Sequence, residues 1–377
     1  MIIASIVSIV VFLLILGVLV LVHELGHFFV AKRVGIRVEE FGLGLPPKIK
    51  TLFRKDGTEY TLNLLPFGGF VRLTGEEPTP EDLTDERSFA SKSRRSRAAV
   101  IMAGVVMNLI FATLIYTVLL SVQQFQFETP LLTDYHFPFG KETRSVIILD
   151  AQEGSPAKEA GIARGDTVLS LEGKSISEIE EFQEAVKEKQ GQEVRLAVEN
   201  KESGVKEVTL LARSDPPKDQ GALGIVLGRF VKVSYETPFE KVFSGALHSV
   251  NILGYTTEIL SQLIIVSFME RTVGPIGSSV SGPIGIFGLV NTILTIGNLQ
   301  EKILGILELT ALLSLSLGFI NALPFPALDG GRLLFIGIET IIGRGRSMRV
   351  EAVVHKIGFA LLLALLFLIS IKDFLSL

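Results

Sequence analysis

Long apolar runs alternate along this chain with charged stretches, and the spacing of the apolar positions changes from one to the next. No side chain from Met1 to Val22 is charged, a run suited to a transmembrane helix, which needs roughly 20 apolar residues. The same criterion predicts four spans, at about 2–31, 98–122, 303–323 and 353–371. Between the second and third spans the pattern breaks. "SVIILD", "DTVLSLEG" and "EVRLAVEN" alternate as strands do, and "SEIEEFQEAVKEK" has the spacing of a helix. Residues 145–228 therefore read as a small β-rich domain. Beyond the "SDPPKDQG" linker, Phe239, Val242, Phe243, Ala246, Leu247, Val250 and Leu253 recur at helical spacing. His248, Asn251, Glu258 and Gln262 would be stranded in lipid, so an interfacial helix is expected rather than a span. The uncharged, glycine-rich segment 273–299 is expected to be re-entrant or to lie on the surface; if both segments crossed, the count would be six. In the first polar loop Tyr60, Leu62 and Leu64 alternate with Thr61 and Asn63, and Pro66, Gly68 and Gly69 supply turn chemistry. A hairpin near the membrane surface is expected over Tyr60–Leu73.

The resulting fold class is a polytopic α-helical membrane protein with about four transmembrane helices, a membrane-associated β-hairpin and one β-rich domain outside. Its expected divisions are 1–122, 145–228, 229–300 and 301–377. Composition agrees, since 48% of the 377 residues are hydrophobic. The net charge of -4 and the scatter of the basic residues show no phosphate-neutralising face, which argues against nucleic acid. With no cysteine, any metal must be held by His, Asp or Glu. The first span lacks a basic start and a small-residue cleavage site, so it is expected to be retained. Lys32, Arg33 and Arg37, then Lys92, Arg94, Arg95 and Arg97, then Arg344, Arg346 and Arg349 mark loops on the cytoplasmic side by the positive-inside rule. The β-rich domain then lies outside, as do both termini.

Charged and titratable groups at membrane depth are costly and tend to serve function. The first span ends in His23-Glu24-Leu25-Gly26-His27. On a helix, residues four apart share a face, so both imidazoles can reach one metal with Glu24 beside them to accept a proton from water. A hydrolytic zinc site takes three protein ligands and a water. Glu308 and Asp329 are the acids on the third span and its continuation, 21 positions apart, roughly 31 Å along a continuous helix. They cannot both lie at the depth of the histidines, and Asp329, at the inner end, is the preferred third ligand. Pro324 and Pro326 must break the helix just before it, and broken backbone at membrane depth is tolerated where it lines a cavity.

HELGH in a first span with "NALPFPALDGG" after a late one resembles the site-2 protease family of intramembrane zinc metalloproteases. "EFGLGLPPKI", "LNLLPFGGFVRL", "MAGVVMNLIFA" and "SGPIGIF" extend the likeness over nearly the whole chain. The resemblance implies Zn2+ held by His23, His27 and Asp329, Glu24 as general base, and Asn321 holding the substrate backbone. It implies a bacterial inner-membrane protein with its active site toward the cytoplasm. Its partners would be the lipid bilayer and single-span membrane proteins, such as an anti-sigma factor already trimmed by another protease, or signal-peptide remnants. "EGSPAKEAGIARGDTVLSLEGKSI" resembles a bacterial PDZ domain, and "GALGIVL" its carboxylate-binding loop, which would place a peptide terminus at Leu223 and Gly224. Leu62 and Leu64 would offer a hairpin edge for an unwound substrate strand. A metal-ion transporter built on His23, His27 and Asp329 is the alternative from another class, and a non-catalytic PDZ scaffold a third. The first leaves Glu24 and the β-rich domain unexplained; the intact HELGH and LDGG argue against the second.

Overall fold

The computed structural model describes residues 2–76, 81–200, 204–218, 220–271, 274, 277 and 280–375. The remaining positions of the glycine-rich 273–279 stretch lie outside the described residues. The chain divides into two compact units, one of 1–119, 248–253 and 262–377, the other of 120–247 and 254–261.

In the first unit, the charge-free run folds as α1 (Ile2–Arg33) and continues through HELGH without a break. Two long strands follow, β1 (Val38–Lys55) and β2 (Thr58–Leu73), paired antiparallel. Their turn differs from expectation. It falls at Asp56-Gly57, both with positive φ (51° and 77°), the backbone that Asp-Gly favours in a two-residue hairpin turn. The Pro66–Gly69 stretch lies instead inside β2 and lets it fold back on β1. Phe41 pairs with both Tyr60 and Val71, Gly42 with both Thr61 and Phe70, and Leu43 with both Leu62 and Gly69. The start of β1 is thus sandwiched between two stretches of β2, leaving the Gly69–Leu73 stretch on a rim.

The later helices are α2 (Arg94–Val122), α5 (Pro238–Val242), α6 (Ser244–Met269), α7 (Pro283–Thr295), α8 (Leu299–Ala322), α9 (Asp329–Ile342) and α10 (Arg344–Leu375). Among the described residues five helices are long and apolar enough to cross a membrane: Ile6–Arg33 of α1, α2, α6, α8 and α10. The fifth, α6, is a candidate span beyond the expected four, in the segment expected to be an interfacial helix. His248 and Asn251 are buried in protein, at 5% and 0% exposure, not stranded. His248 packs edge-on against Tyr116 of α2, and Ser249 shares a hydrogen bond with Thr113. Helix α7, with 13 residues, is too short to span in helical form. It packs against α1 and α8, with Val290 buried against Ile15, Leu19 and Leu309. Its first turn is tied to the end of α10, where Asp373 Oδ2 accepts from the Gly282 and Gly285 amides at 2.7 and 2.9 Å.

The second unit is built on a sheet of β3 (Gln126–Pro130), β4 (Lys141–Ala151), β5 (Thr167–Leu171), β6 (Lys174–Ser175), β7 (Glu193–Asn200), β8 (Gly204–Leu211) and β9 (Ile225–Ser234). The strand order is β3-β9-β4-β5-β7-β8, with β6 on β5, and all pairs are antiparallel. Besides α5, two helices among the described residues belong to it. The four-residue α3 (Pro156–Glu159) starts at Ser155, whose hydroxyl accepts from the Lys158 amide. The amphipathic α4 (Ile179–Glu188) buries Phe182 and Val186. Its core includes Val146, Ile148, Val168, Val194, Leu196 and Leu223.

Candidate active site

Three electron-pair donors from two distant helices meet in the first unit. His23 and His27, one turn apart on α1, bring their Nε2 atoms to 3.2 Å. Asp329 Oδ2 lies 3.0 Å from His23 Nε2 and 3.4 Å from His27 Nε2. Among the described residues these three form the one His/Asp/Glu group with donors converging within 4.8 Å. Glu308 is not part of it.

Local sequence explains how Asp329 arrives. Pro324 and Pro326 end α8, and the chain turns through Ala327 at φ 73° before α9 begins at Asp329. Gly330 lets α9 start hard against the end of α8, because a Cβ there would overlap the Ala322 and Leu323 carbonyl oxygens. The turn is held from α10, where His355 Nδ1 accepts the Ala327 amide proton at 3.1 Å.

The donor set fits a divalent cation. His27 Nδ1 lies 2.8 Å from the Val100 carbonyl oxygen, which can only accept. In the neutral ring the proton is therefore on Nδ1, and Nε2 presents a lone pair. Asp329 Oδ2 is buried between the Nε2 atoms of both histidines. An imidazole lone pair and a carboxylate oxygen facing each other without a proton repel unless a cation lies between them, and two His nitrogens with one carboxylate oxygen suit zinc. The backbone around them is shaped to leave this room. At Gly104 of α2, a Cβ would stand 2.5 Å from His27 Nε2 and 2.7 Å from His23 Cε1.

The three donors and Glu24 line a cavity of about 270 Å³. Phe70, Val71 and Leu73 of the β2 rim face the same cavity. So do Glu76 and Arg332, which form an ion pair at 2.6 Å between the loop after β2 and the first turn of α9.

The other expected site residues are distributed differently. Asn321, on the last turn of α8, is half-buried and is not among the residues lining the cavity. Leu62 pairs with both Leu43 and Lys50, so its backbone is used inside the sheet and cannot offer an edge. This corrects the expectation: the rim is Gly69–Leu73. Leu64 is exposed. In the β-rich unit, Leu223 is buried in the core. The Gly224 amide, expected near a carboxylate-binding loop, donates to Gly221 O at 2.9 Å. Sequence reasoning passed over Gly104, Asn108, Glu76 and Arg332, and included Phe70 and Val71 in the expected hairpin without singling them out. For Asn108 a signal existed, a lone amide in the apolar "MAGVVMNLIFA".

A family model described as Peptidase family M50 matches residues 11–365. Similar proteins include three named zinc metalloprotease RasP. That of Oceanobacillus iheyensis is 28% identical over 446 residues, covering 97% of this chain and 98% of its own. That of Bacillus licheniformis is 27% identical over 445 residues, covering 97% and 98%. That of Geobacillus kaustophilus is 28% identical over 450 residues, covering 97% of each.

Proposed function

Because this chain belongs to peptidase family M50, the site-2 proteases, and is a multi-pass membrane metalloprotease, we propose that it uses zinc held by His23, His27 and Asp329 to cut peptide bonds within transmembrane segments of other proteins. The observation that carries this reading is the meeting of those three donors beside Glu24 in one cavity. Zinc supplies polarisation of the scissile carbonyl and acidification of the attacking water. Glu24 receives the water's proton on its carboxylate and passes it to the leaving nitrogen. The β2 rim receives the substrate. A transmembrane helix has its backbone groups paired internally, and unpaired ones are expensive in lipid, so the strand beside the cavity replaces bonds that the substrate loses on unwinding. Asn321 contributes its side-chain amide to the same strand.

Zinc chelation should stop cleavage of a single-span substrate by the purified protein in liposomes, and added zinc should restore it. Cleavage that persists after the metal is gone removes the reading; zinc flux into the vesicles without any cut favours the transporter.

The rim gives a second prediction. Neighbouring residues of a strand point their amides to opposite sides, so one of Phe70→Pro and Val71→Pro removes a donor facing away from β1. That variant should slow stable substrate helices severalfold more than helices already weakened by glycine or proline. Equal slowing of both classes by both variants would show that the rim does not assist unwinding.

From the basic loops we read the site as lying on the cytoplasmic side and the β-rich unit outside. The nearness of His23 to Asp329 supports one part of this, since the inner ends of α1 and α8 then lie at one depth. We read the β-rich unit as a PDZ domain that screens substrates by size, so that proteins such as anti-sigma factors enter after losing their outer part. Deleting about 145–228 should then admit untrimmed substrates, whereas a peptide-binding role would make the deletion slow trimmed ones.

A further inference from the structure

We propose that Asn108 is a positioning residue that sets which nitrogen of His23 faces the cavity; the proposal rests on the metal-site reading above. A neutral imidazole carries one N–H and one lone pair, and what its outer nitrogen bonds decides which nitrogen can bind a metal. His27 receives this instruction from the Val100 carbonyl. For His23 the facing group is the Asn108 side-chain amide, 3.3 Å from Nδ1.

Asn108 is fully buried on α2. Its carboxamide has two ends of nearly equal size, one donating and one accepting. With Nδ2 toward His23, the ring must accept at Nδ1 and carry its proton on Nε2, aimed at Asp329 Oδ2 and His27 Nε2. The amide oxygen is then buried without a hydrogen-bond partner. Turning the amide over puts that oxygen against Nδ1, which becomes the donor. His23 then presents its Nε2 lone pair to the cavity, the same state that His27 reaches by an independent route.

The placement of α2 makes this a built contact. Gly104, four residues earlier on the same face, lets the helix lie close against both rings. On the other side, the Ser314 hydroxyl of α8 donates to the Asn108 backbone oxygen at 2.9 Å. That bond fixes the backbone and survives side-chain replacement. The resulting chain Asn108–His23–Asp329 links α2, α1 and α9 through the donor cluster.

The test compares Asn108→Leu, which keeps volume and removes the acceptor, with Asn108→Asp, which keeps an accepting oxygen. Zinc retention against a chelator is read together with the absorption spectrum after cobalt substitution. In Asn108→Leu the metal should leave about 10- to 100-fold faster, the usual cost of losing such an outer partner, with an altered cobalt spectrum. Asn108→Asp should retain metal within about threefold of wild type and keep the wild-type spectrum. Wild-type retention and spectrum in Asn108→Leu would overturn the proposal, as would equal loss in both variants. Wild-type protein that takes up no zinc would instead overturn the metal-site reading itself.

Discussion

Replacing Glu24 by glutamine should abolish proteolysis while leaving zinc bound. The amide keeps the volume and the hydrogen-bonding reach of the carboxylate and loses its basicity, so only the proton transfer is removed. General-base catalysis contributes about 10²- to 10⁴-fold, and cleavage should fall by at least the lower figure. Metal content should stay near that of wild type, because Glu24 lines the cavity but stands outside the converging donor set. Rate and zinc occupancy, measured on the same preparation, check both halves. Turnover within severalfold of wild type would exclude Glu24 as the base. Loss of zinc would instead give it a place among the ligands.

Asp329→Ala should remove both metal and activity, and Glu308→Ala neither. Asp329 Oδ2 approaches both histidine nitrogens within 3.4 Å, and its substitution leaves two neutral imidazoles to hold a divalent ion. Loss of one of three protein ligands should lower zinc affinity by more than the 10- to 100-fold typical of an outer-shell change. Asp329→Asn makes the case stricter, since it preserves shape and removes only the charge. Zinc occupancy after dialysis against a weak chelator is the measurement. Equal occupancy in wild type and Asp329→Ala would require a different third ligand.

The parts of this arrangement differ in how far the sequence discloses them. The apolar run that becomes α1 is readable because an absence of charge over such a length has one physical meaning. The polar trio within it stands out for the same reason. The environment of α6 was not legible, because some of its polar residues are met by protein: His248 packs against the Tyr116 ring, and Asn251 is fully buried. Nothing along the chain announces those partners. The hairpin was placed by its glycines and proline near 66–69, yet the tighter signal was Asp56-Gly57, where two positive φ values in succession close the turn.

In the site, His23, Glu24, His27 and Asp329 could be singled out because ionisable groups in apolar sequence are rare and a helix aligns positions four apart. Their meeting was expected from the depth of Asp329 at the inner end of the third span, but the backbone route was not legible, since it depends on Gly330 admitting α9 against the end of α8. The rim was assigned to Leu62 and Leu64 because alternation reveals a strand but not which of its sides is already paired. Phe70 and Val71 hold that position because β2 folds back on β1. Asn108 left one local signal, a lone amide in an apolar run, but its contact with His23 spans 85 residues, which no local spacing encodes.

The central claim is that the bond cut lies inside a membrane-spanning segment, and mapping the cut tests it most directly. A single-span substrate in liposomes is treated with the zinc-loaded protein, and the new termini of both fragments are determined by mass spectrometry. The account predicts termini within the apolar span of the substrate, absent from the Glu24→Gln reaction. Termini confined to the aqueous flanks, or an identical cut with Glu24→Gln, would contradict it.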